Sequence, residues 1–409
     1  MIYRLRDICE IYDGPHATPP ETKAGPIFLG IKNITENCEL DFSEVKYLSE
    51  EDFTKWTKRV TPKEDDIVFS YEATLNRYAL IPSGFHGCLG RRLGIARVKD
   101  RSIVNPHYLY HYFCSPEWKA FILANKVVGS TVLRISIEEF PEYKVDLPDI
   151  ETQNAVSVIL DAIAKKKNNN SNICSDLESM AKLLYDYWFV QFDFPDNNGR
   201  PYKSSGGKMI WNEELKREIP ERWEVKRLRD VAFYVNDRID SSLLTKDTYI
   251  GTDNLLSNMS GKTVSEYVPV EGYSTAYREK DILIANIRPY FKKIWQADNL
   301  GGASADVLVI RTEKEIDSWV YGTLARDDFF AYDMAGSKGS KMPRGDKDHI
   351  MNYPIPYSEQ IIKRFSSKIS YVNELRNHYY HENQQLASLR DFLLPMLMNG
   401  QVKVGKAGE

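Results

Sequence analysis

From Glu151 to Trp188 the chain runs without a proline, and apolar residues return at seven-residue spacing. With Val156 at position a, Ile163, Asn170, Leu177 and Leu184 follow at a, while Ile159, Lys166, Ile173, Met180 and Tyr187 fall at d. Moved on by 209 residues, the same frame selects Phe365, Val372, Tyr379, Leu386 and Leu393 at a, and Lys368, Leu375, Glu382, Leu389 and Met396 at d. Five heptads in one register predict two long helices packed as a coiled-coil pair. A helix of about 38 residues at 1.5 Å per residue is about 57 Å long, far beyond the mean globular helix. The polar Lys166, Asn170 and Glu382 weaken the seam and are candidates to fix its register and orientation. A globular segment lies between the helices, so they are expected to run antiparallel. The competing expectation is that each helix packs only on its own domain, which an amphipathic stripe alone would allow.

Outside these stretches the pattern changes to short apolar runs, such as Ile67-Val68-Phe69-Ser70 and Val307-Leu308-Val309-Ile310, broken by Gly, Pro and Asn, with a helical stretch around 107–122. These segments repeat. Arg4-Leu5-Arg6-Asp7-Ile8 returns as Arg227-Leu228-Arg229-Asp230-Val231, Gly30-Ile31-Lys32-Asn33 as Gly251-Thr252-Asp253-Asn254, and Lys63 to Val68 as Arg278 to Leu283. Gly129-Ser130 matches Gly336-Ser337, and both copies leave through a proline, Leu147-Pro148 and Ile355-Pro356. The fold class is α+β, with two repeated α+β domains separated by two long antiparallel coiled-coil helices. The expected boundaries are a first domain at 1–149, a helix at 150–192, a linker at 193–222, a second domain at 223–357, a helix at 358–400 and a tail at 401–409.

Composition narrows the class. The 409 residues suggest two or three domains, and 42% hydrophobic with 27% charged residues suits a soluble protein with real cores. No run of 18 apolar residues exists, and no signal-peptide pattern opens the chain. The five cysteines (Cys9, Cys38, Cys88, Cys114, Cys174) form no C-x-x-C pair, which fits reduced thiols in the cytoplasm. The net charge of -4 argues mildly against a protein that coats nucleic acid unaided, but not against local basic loops.

Three segments carry a family resemblance. They are Trp188-Phe189-Val190-Gln191-Phe192-Asp193-Phe194, the opening of the second copy at Ile219-Pro220-Glu221-Arg222-Trp223-Glu224-Val225-Lys226-Arg227-Leu228, and the closing Leu393-Leu394-Pro395-Met396-Leu397-Met398-Asn399-Gly400-Gln401-Val402. Over essentially its whole length the chain resembles the specificity (S) subunits of type I restriction-modification systems. The first copy departs from the pattern in lacking the opening tryptophan. The resemblance implies two target recognition domains, each reading one half of a split site in double-stranded DNA. It implies helices that act as a ruler and dock two methyltransferase (M) subunits, with restriction (R) motor-nuclease subunits able to join for cleavage. S-adenosylmethionine and adenine methylation would belong to the M subunits, and this chain would carry no cofactor and no catalytic residue. A duplicated reader with pseudo-twofold symmetry suits two half-sites.

Candidate DNA contacts then follow from side-chain chemistry. In the second copy, Lys338, Ser340, Lys341 and Arg344 lie in a Gly/Ser-rich stretch able to approach phosphates, matched in the first by Ser130, Thr131 and Arg134. Asn286, Arg288, Tyr290, Lys292 and Lys293 mix groups that read base edges and clamp backbone. Their counterparts are Tyr71, Asn76 and Arg77, with Arg91 and Arg92 as a cationic pair. Tyr185, Trp188, Phe189 and Phe192, with Leu394 and Met396, are candidates for a partner-binding apolar face. The four aromatics could equally pack within the chain.

Catalytic readings are weak. Asn105-Pro106-His107-Tyr108 departs from the Asn-Pro-Pro-Tyr motif of adenine methyltransferases and is better read as a turn into a helix near Tyr108. Glu224-Val225-Lys226 offers only half of a metal-dependent nuclease site. Gly206-Gly207-Lys208-Met209 lacks the Ser or Thr of a phosphate loop. The pairs His107/His111 and His378/His381 lack a third metal ligand in register. Two rival functions stand beside the specificity reading: a degenerate or fused adenine-N6 methyltransferase, which would bind S-adenosylmethionine alone, and a scaffold whose copies bind only protein.

Overall fold

The computed structural model describes residues 1–15, 17–127, 132–312, 315–339, 341–402 and 404. Its contacts divide the chain into two compact units, 1–170 with 382–409, and 171–381. The division runs through both long helices, so each unit holds one copy of the repeat and a stretch of each helix.

In the first unit, β1 (Cys9–Asp13), β2 (Ile67–Ser70), β3 (Tyr78–Leu80) and β4 (Leu93–Val98) form an antiparallel sheet in the order β1-β4-β2-β3. In the second, β5 (Ala232–Tyr234), β6 (Ile282–Ala285), β7 (Ile294–Gln296) and β8 (Val307–Thr312) repeat it as β5-β8-β6-β7. Every residue of β2 and of β6 is buried. Both sheet faces are therefore covered, which is why these strands read as unbroken apolar runs rather than as an alternation. A smaller sheet accompanies each, with Thr22–Leu29 parallel to Gly87–Leu89 in one copy and Tyr249–Ile250 parallel to Gly301–Ala303 in the other.

The repeated sequence motifs turn out to be the polar fastenings of this shared frame. Asp66 accepts two 2.7 Å bonds from Arg97, through Nε and Nη2, and Asp281 accepts the same two at 2.7 Å from Arg311. The buried Asn33 accepts from Gly30 N–H at 3.0 Å and donates to the carbonyls of Asp41 and Glu44. Asn254 accepts from Gly251 N–H at 2.7 Å and donates to Tyr249 and Thr263. Buried side chains satisfied this way hold loops that have no ladder of their own.

Among the described residues, the helices of eight or more residues are α1 (Pro106–Cys114), α2 (Pro116–Ala124), α3 (Ile150–Tyr185), α4 (Asp317–Leu324), α5 (Asp327–Gly336) and α6 (Glu359–Met398). Within each unit α3 and α6 run antiparallel. In the first, Asn170 Nδ2 donates to Glu382 Oε2 at 2.7 Å and Lys166 Nζ lies 3.2 Å from the same oxygen, so the three polar heptad residues meet. In the second, Cys174 Sγ donates to the Arg376 carbonyl, and Tyr185 packs edge-on to Phe365 at 5.9 Å between ring centroids. The heptad pattern holds better at a than at d. Val156, Ile163, Asn170, Phe365 and Val372 are buried, whereas Met180, Tyr187, Lys368 and Leu389 are exposed. A straight helix of 3.6 residues per turn drifts about 20° per heptad, which carries d outward over five heptads.

The two expectations for the helices also prove compatible. Val156 and Leu160 join the first copy's core together with Leu394 and Leu397 from the end of α6. Ile361, Ile362 and Phe365 join the second copy's core together with Tyr185, Trp188 and Phe189. Each helix thus packs on its own copy at its start, while the other helix supplies the neighbouring face.

The rival motifs are structural. Asn105 caps α1, accepting from His107 N–H at 2.8 Å, so the helix begins at Pro106, two residues earlier than expected. Lys226 lies over the Tyr357 ring, and Lys208 pairs with Glu221 at 2.6 Å. His107 and His111 both engage Asp161 of α3, at 2.7 and 2.8 Å, so they fasten α1 to the long helix. The five cysteines are free thiols. Among the described residues no helix is long and apolar enough to cross a membrane, and no cluster of three or more His, Cys, Asp or Glu is arranged to hold a metal.

Candidate nucleic-acid interface

In each copy two candidate segments, distant in sequence, are laced together by equivalent backbone bonds. In the first copy, Ser70 N–H donates to Arg77 at 3.0 Å, Tyr71 N–H to Arg92 at 3.1 Å, Ile135 N–H to Tyr71 at 2.9 Å and Ala73 N–H to Leu133 at 2.7 Å. In the second, Ala285 N–H donates to Lys293 at 3.1 Å, Asn286 N–H to Asp306 at 2.8 Å, Gly345 N–H to Asn286 at 3.1 Å and Arg288 N–H to Pro343 at 2.8 Å. Left-handed corners recur as well, at Ala73 and Asn76 (φ 70° and 63°) and at Arg288 and Lys292 (φ 53° and 52°). The strand-following loop and the loop before the proline-rich exit therefore form one composite surface per copy.

Side chains on these shared backbones differ in availability. In the first copy Tyr71 is buried in the core. Asn76 Nδ2 is spent on the Lys119 carbonyl at 3.0 Å. Arg77 pairs with Glu36 at 2.8 Å and Arg92 with Glu72 at 2.9 Å. Arg91 and Arg134 remain exposed. In the second copy Lys293 turns inward to the Thr252 carbonyl at 2.5 Å, and desolvation lowers its pKa. Lys292 pairs with Asp327 at 2.7 Å, Arg344 with Asp306 at 3.2 Å and Lys338 with Asp346. Lys341 and Tyr290 are exposed. Ser130, Thr131 and Ser340 lie outside the described residues. Tyr71 and Lys293 are thus corrected from contact residues to parts of the frame, the first because its ring fills the core, the second because its ammonium closes a backbone carbonyl.

Beneath the second surface lies a buried polar knot. Asp333 of α5 is wholly buried, and neither carboxylate oxygen has a hydrogen-bond partner among the described residues. Burial pushes its pKa up to about 6. A side chain at Gly345 would collide with Asp333 Oδ1 and Asn286 Oδ1, so the absent Cβ is what lets the loop close over these groups.

Of the two readings of the aromatic run, the fold matches packing within the chain. Tyr185, Trp188, Phe189 and Phe192 are core residues of the second unit, and Leu394 is one of the first. Trp188 packs on Phe365 at 5.9 Å and Phe192 edge-on to Trp223 at 5.2 Å. Met396 is only partly buried. The aromatic run is apolar because it seals a core. Exposed apolar residues on the long helices lie elsewhere, among them Met180 and Leu183 on α3 and Leu389 and Phe392 on α6, with Leu183 68% and Phe392 64% exposed; Val158, Tyr371 and Tyr380 are exposed as well.

Two features escaped the sequence reading. Phe291 is exposed beside Tyr290, with ring centroids 4.7 Å apart; the adjacency Pro289-Tyr290-Phe291 was the available signal. The acidic residues Glu36 and Glu72, which occupy two of the candidate arginines, left no local trace, because contacts across 41 and 20 residues depend on the fold.

Residues 1–178 match the family model described as the Type I restriction modification DNA specificity domain. Along nearly its whole length the chain is similar to a specificity subunit of a type I restriction enzyme. The Type I restriction enzyme MjaIX specificity subunit of Methanocaldococcus jannaschii is 24% identical over 98% of this chain and 93% of its own. The HindI specificity subunit of Haemophilus influenzae is 23% identical over 41% of this chain and 36% of its own. Among solved structures, the type I restriction-modification S subunit from M. genitalium shares the fold with a TM-score of 0.56 at 13% identity, covering 97% of this chain and 95% of that one.

Proposed function

We propose that this chain reads a bipartite sequence in duplex DNA, one part through each copy, as the specificity subunit of a type I restriction-modification complex in the cytoplasm. The observation that carries the reading is the duplicated lacing. Two equivalent backbone platforms bearing different exposed side chains are what one polypeptide needs to address two different half-sequences. Cations at the platform rims (Arg91, Arg134, Lys341) supply phosphate contacts that position. Groups at the loop tips are available for base edges.

The long helices are read as the docking surface for methyltransferase subunits, which bring S-adenosylmethionine and the methyl transfer to adenine. In support, Met180 and Leu183 recur 209 residues later as Leu389 and Phe392, exposed at equivalent places on the two helices. A repeated apolar pair suits two copies of one partner, and a restriction motor-nuclease could join that assembly. The test is to co-express the chain with its methyltransferase and sequence the modified adenines, then to replace residues 1–149 with those of a relative. The expected outcome is a split motif of which only one half changes. Loss of the whole motif with folding and assembly intact would sink the modular reading.

A further inference from the structure

A cavity of about 280 Å3 lies in the first unit and is lined by Cys38, Cys114, Tyr110, Lys119, Lys167 and Arg390, among others. No candidate DNA contact lines it, and only Asn76 and Arg77 touch its wall, through the Lys119 carbonyl and the Glu36 carboxylate. Cys38 sits in a loop with a left-handed backbone (φ 64°), its carbonyl held by Tyr110 Oη at 2.5 Å. Cys114 is the last residue of α1, and Lys119 stands on α2. A hydrogen bond from the Cys114 thiol, aided by the Lys119 ammonium, lowers the pKa of Cys38, while burial raises that of Cys114. The other three cysteines are all shifted the opposite way from Cys38: burial pushes Cys9 and Cys88 up to about 12 and raises Cys174. Cys38 is buried against bulk solvent, so a reagent reaches it through the cavity, and only a small one fits.

We propose that Cys38 and Cys114 form a peroxide-sensitive dithiol, with Cys38 the attacking sulfur, Cys114 the resolving one and Lys119 the positioning cation. A thiolate beside a cation and a second thiol is the arrangement that favours oxidation to a reversible product. The Cys38 thiolate attacks one oxygen of hydrogen peroxide, the O–O bond breaks, and hydroxide leaves and takes up the proton that Cys38 gave up. The resulting sulfenic acid is attacked by Cys114, an S–S bond forms and water leaves with the Cys114 proton. Two thiols are oxidised by two electrons and one peroxide becomes two waters. The loop concerned also holds Arg77 through Glu36 at 2.8 Å and Lys167 of α3 through Glu39 at 2.7 Å. The cross-link would therefore fix the segment that ties the first reading platform to the long helix.

The test uses the full chain, reduced and freed of reductant, treated with hydrogen peroxide, quenched with N-ethylmaleimide and mapped by mass spectrometry without reduction. The expected product is a Cys38–Cys114 linked peptide that dithiothreitol abolishes, with Cys9, Cys88 and Cys174 still alkylated. In Cys114→Ser, dimedone should trap a sulfenic acid on Cys38. In Lys119→Met, the pH midpoint of Cys38 alkylation should move upward, with the circular dichroism spectrum unchanged. Absence of the linked peptide at peroxide levels that oxidise a free cysteine peptide would overturn the proposal, as would reaction of Cys9 or Cys88 at the rate of Cys38. The wild-type map decides the matter even if a variant fails to fold.

Discussion

The composite loop surfaces of the two copies, the platforms proposed to read DNA, share a backbone and differ in most of what projects from it. Four matched N–H···O=C bonds and two left-handed corners recur in each. On the first platform, Tyr71 goes into the core and Arg77 and Arg92 are held by acids. On the second, Tyr290 and Phe291 stand in solvent at the loop tip, where the first copy has Thr74 and the buried Leu75. The fastenings are main-chain bonds plus a few buried polar side chains, so surface residues are free to vary without loss of the platform. On the function proposed above, that separation would let two halves keep one architecture while reading different sequences.

The comparison breaks most sharply at the shared fastenings. Asp66→Ala and Asp281→Ala each take a buried carboxylate from a partly buried, bidentate arginine, at a cost of about 3 kcal/mol, the lower end for breaking a buried pair. Each substitution is expected to lower the melting temperature and to lose recognition by its own copy first. Equal losses in both halves of the motif from either substitution would show that the copies are not independent readers.

The next test concerns a group that only the second copy has. The buried carboxyl of Asp333, with its pKa raised from 3.8 to about 6, binds its proton more tightly folded than unfolded. Its contribution to stability is therefore full below about pH 4 and is lost as pH rises through about 6, a swing of about 3 kcal/mol for two pKa units. Asp333→Asn removes the charge and adds an amide donor near the unpartnered Asn286 Oδ1. Chemical denaturation at pH 5 and pH 8 should find the variant more stable than wild type at pH 8, by about 1–3 kcal/mol, and flatter across the range. A variant less stable at pH 8 would mean that Asp333 has a partner there.

How far the sequence foretold all this depends on whether a feature is local. The duplication was legible because its most repeated residues, Asp66 and Asp281 or Asn33 and Asn254, are the polar fastenings, and their spacing to the glycine or strand beside them is fixed. The long helices were legible from their heptads, which also singled out Lys166, Asn170 and Glu382, but that these three meet is seen only in the fold. The inward turn of Tyr185, Trp188, Phe189 and Phe192 was not, because an aromatic run has the same composition whether it seals a core or greets a partner. Individual DNA contacts fared similarly. Whether an arginine is exposed like Arg134 or tied like Arg77 depends on an acid brought in from elsewhere in the fold.

The exposed aromatics sharpen the comparison at intermediate scale. Tyr290→Ala and Phe291→Ala should each weaken binding through the second half-site by about 1–3 kcal/mol if the rings stack on or wedge between bases. Protein stability should stay nearly unchanged, since both rings are already in solvent. Filter or fluorescence binding to duplexes mutated in one half-site at a time would read this out. A loss seen equally on duplexes that lack the second half-site would reassign the rings to general affinity.

The smallest expected effect separates positioning from reading on both platforms. Lys341→Ala and Arg134→Ala each remove one exposed cation, and a phosphate contact releases about 0.9 counterions on duplex DNA. Each variant of the assembled methyltransferase complex should therefore bind specific and unrelated duplexes more weakly by a similar factor. The slope of log affinity against log salt should become shallower by about one. The methylated motif itself should not change, because a phosphate carries no base identity. If instead one variant relaxes the motif at a single base pair while its salt slope holds, that side chain reads a base edge. The two copies would then differ not only in which residues they expose but in what their exposed cations do.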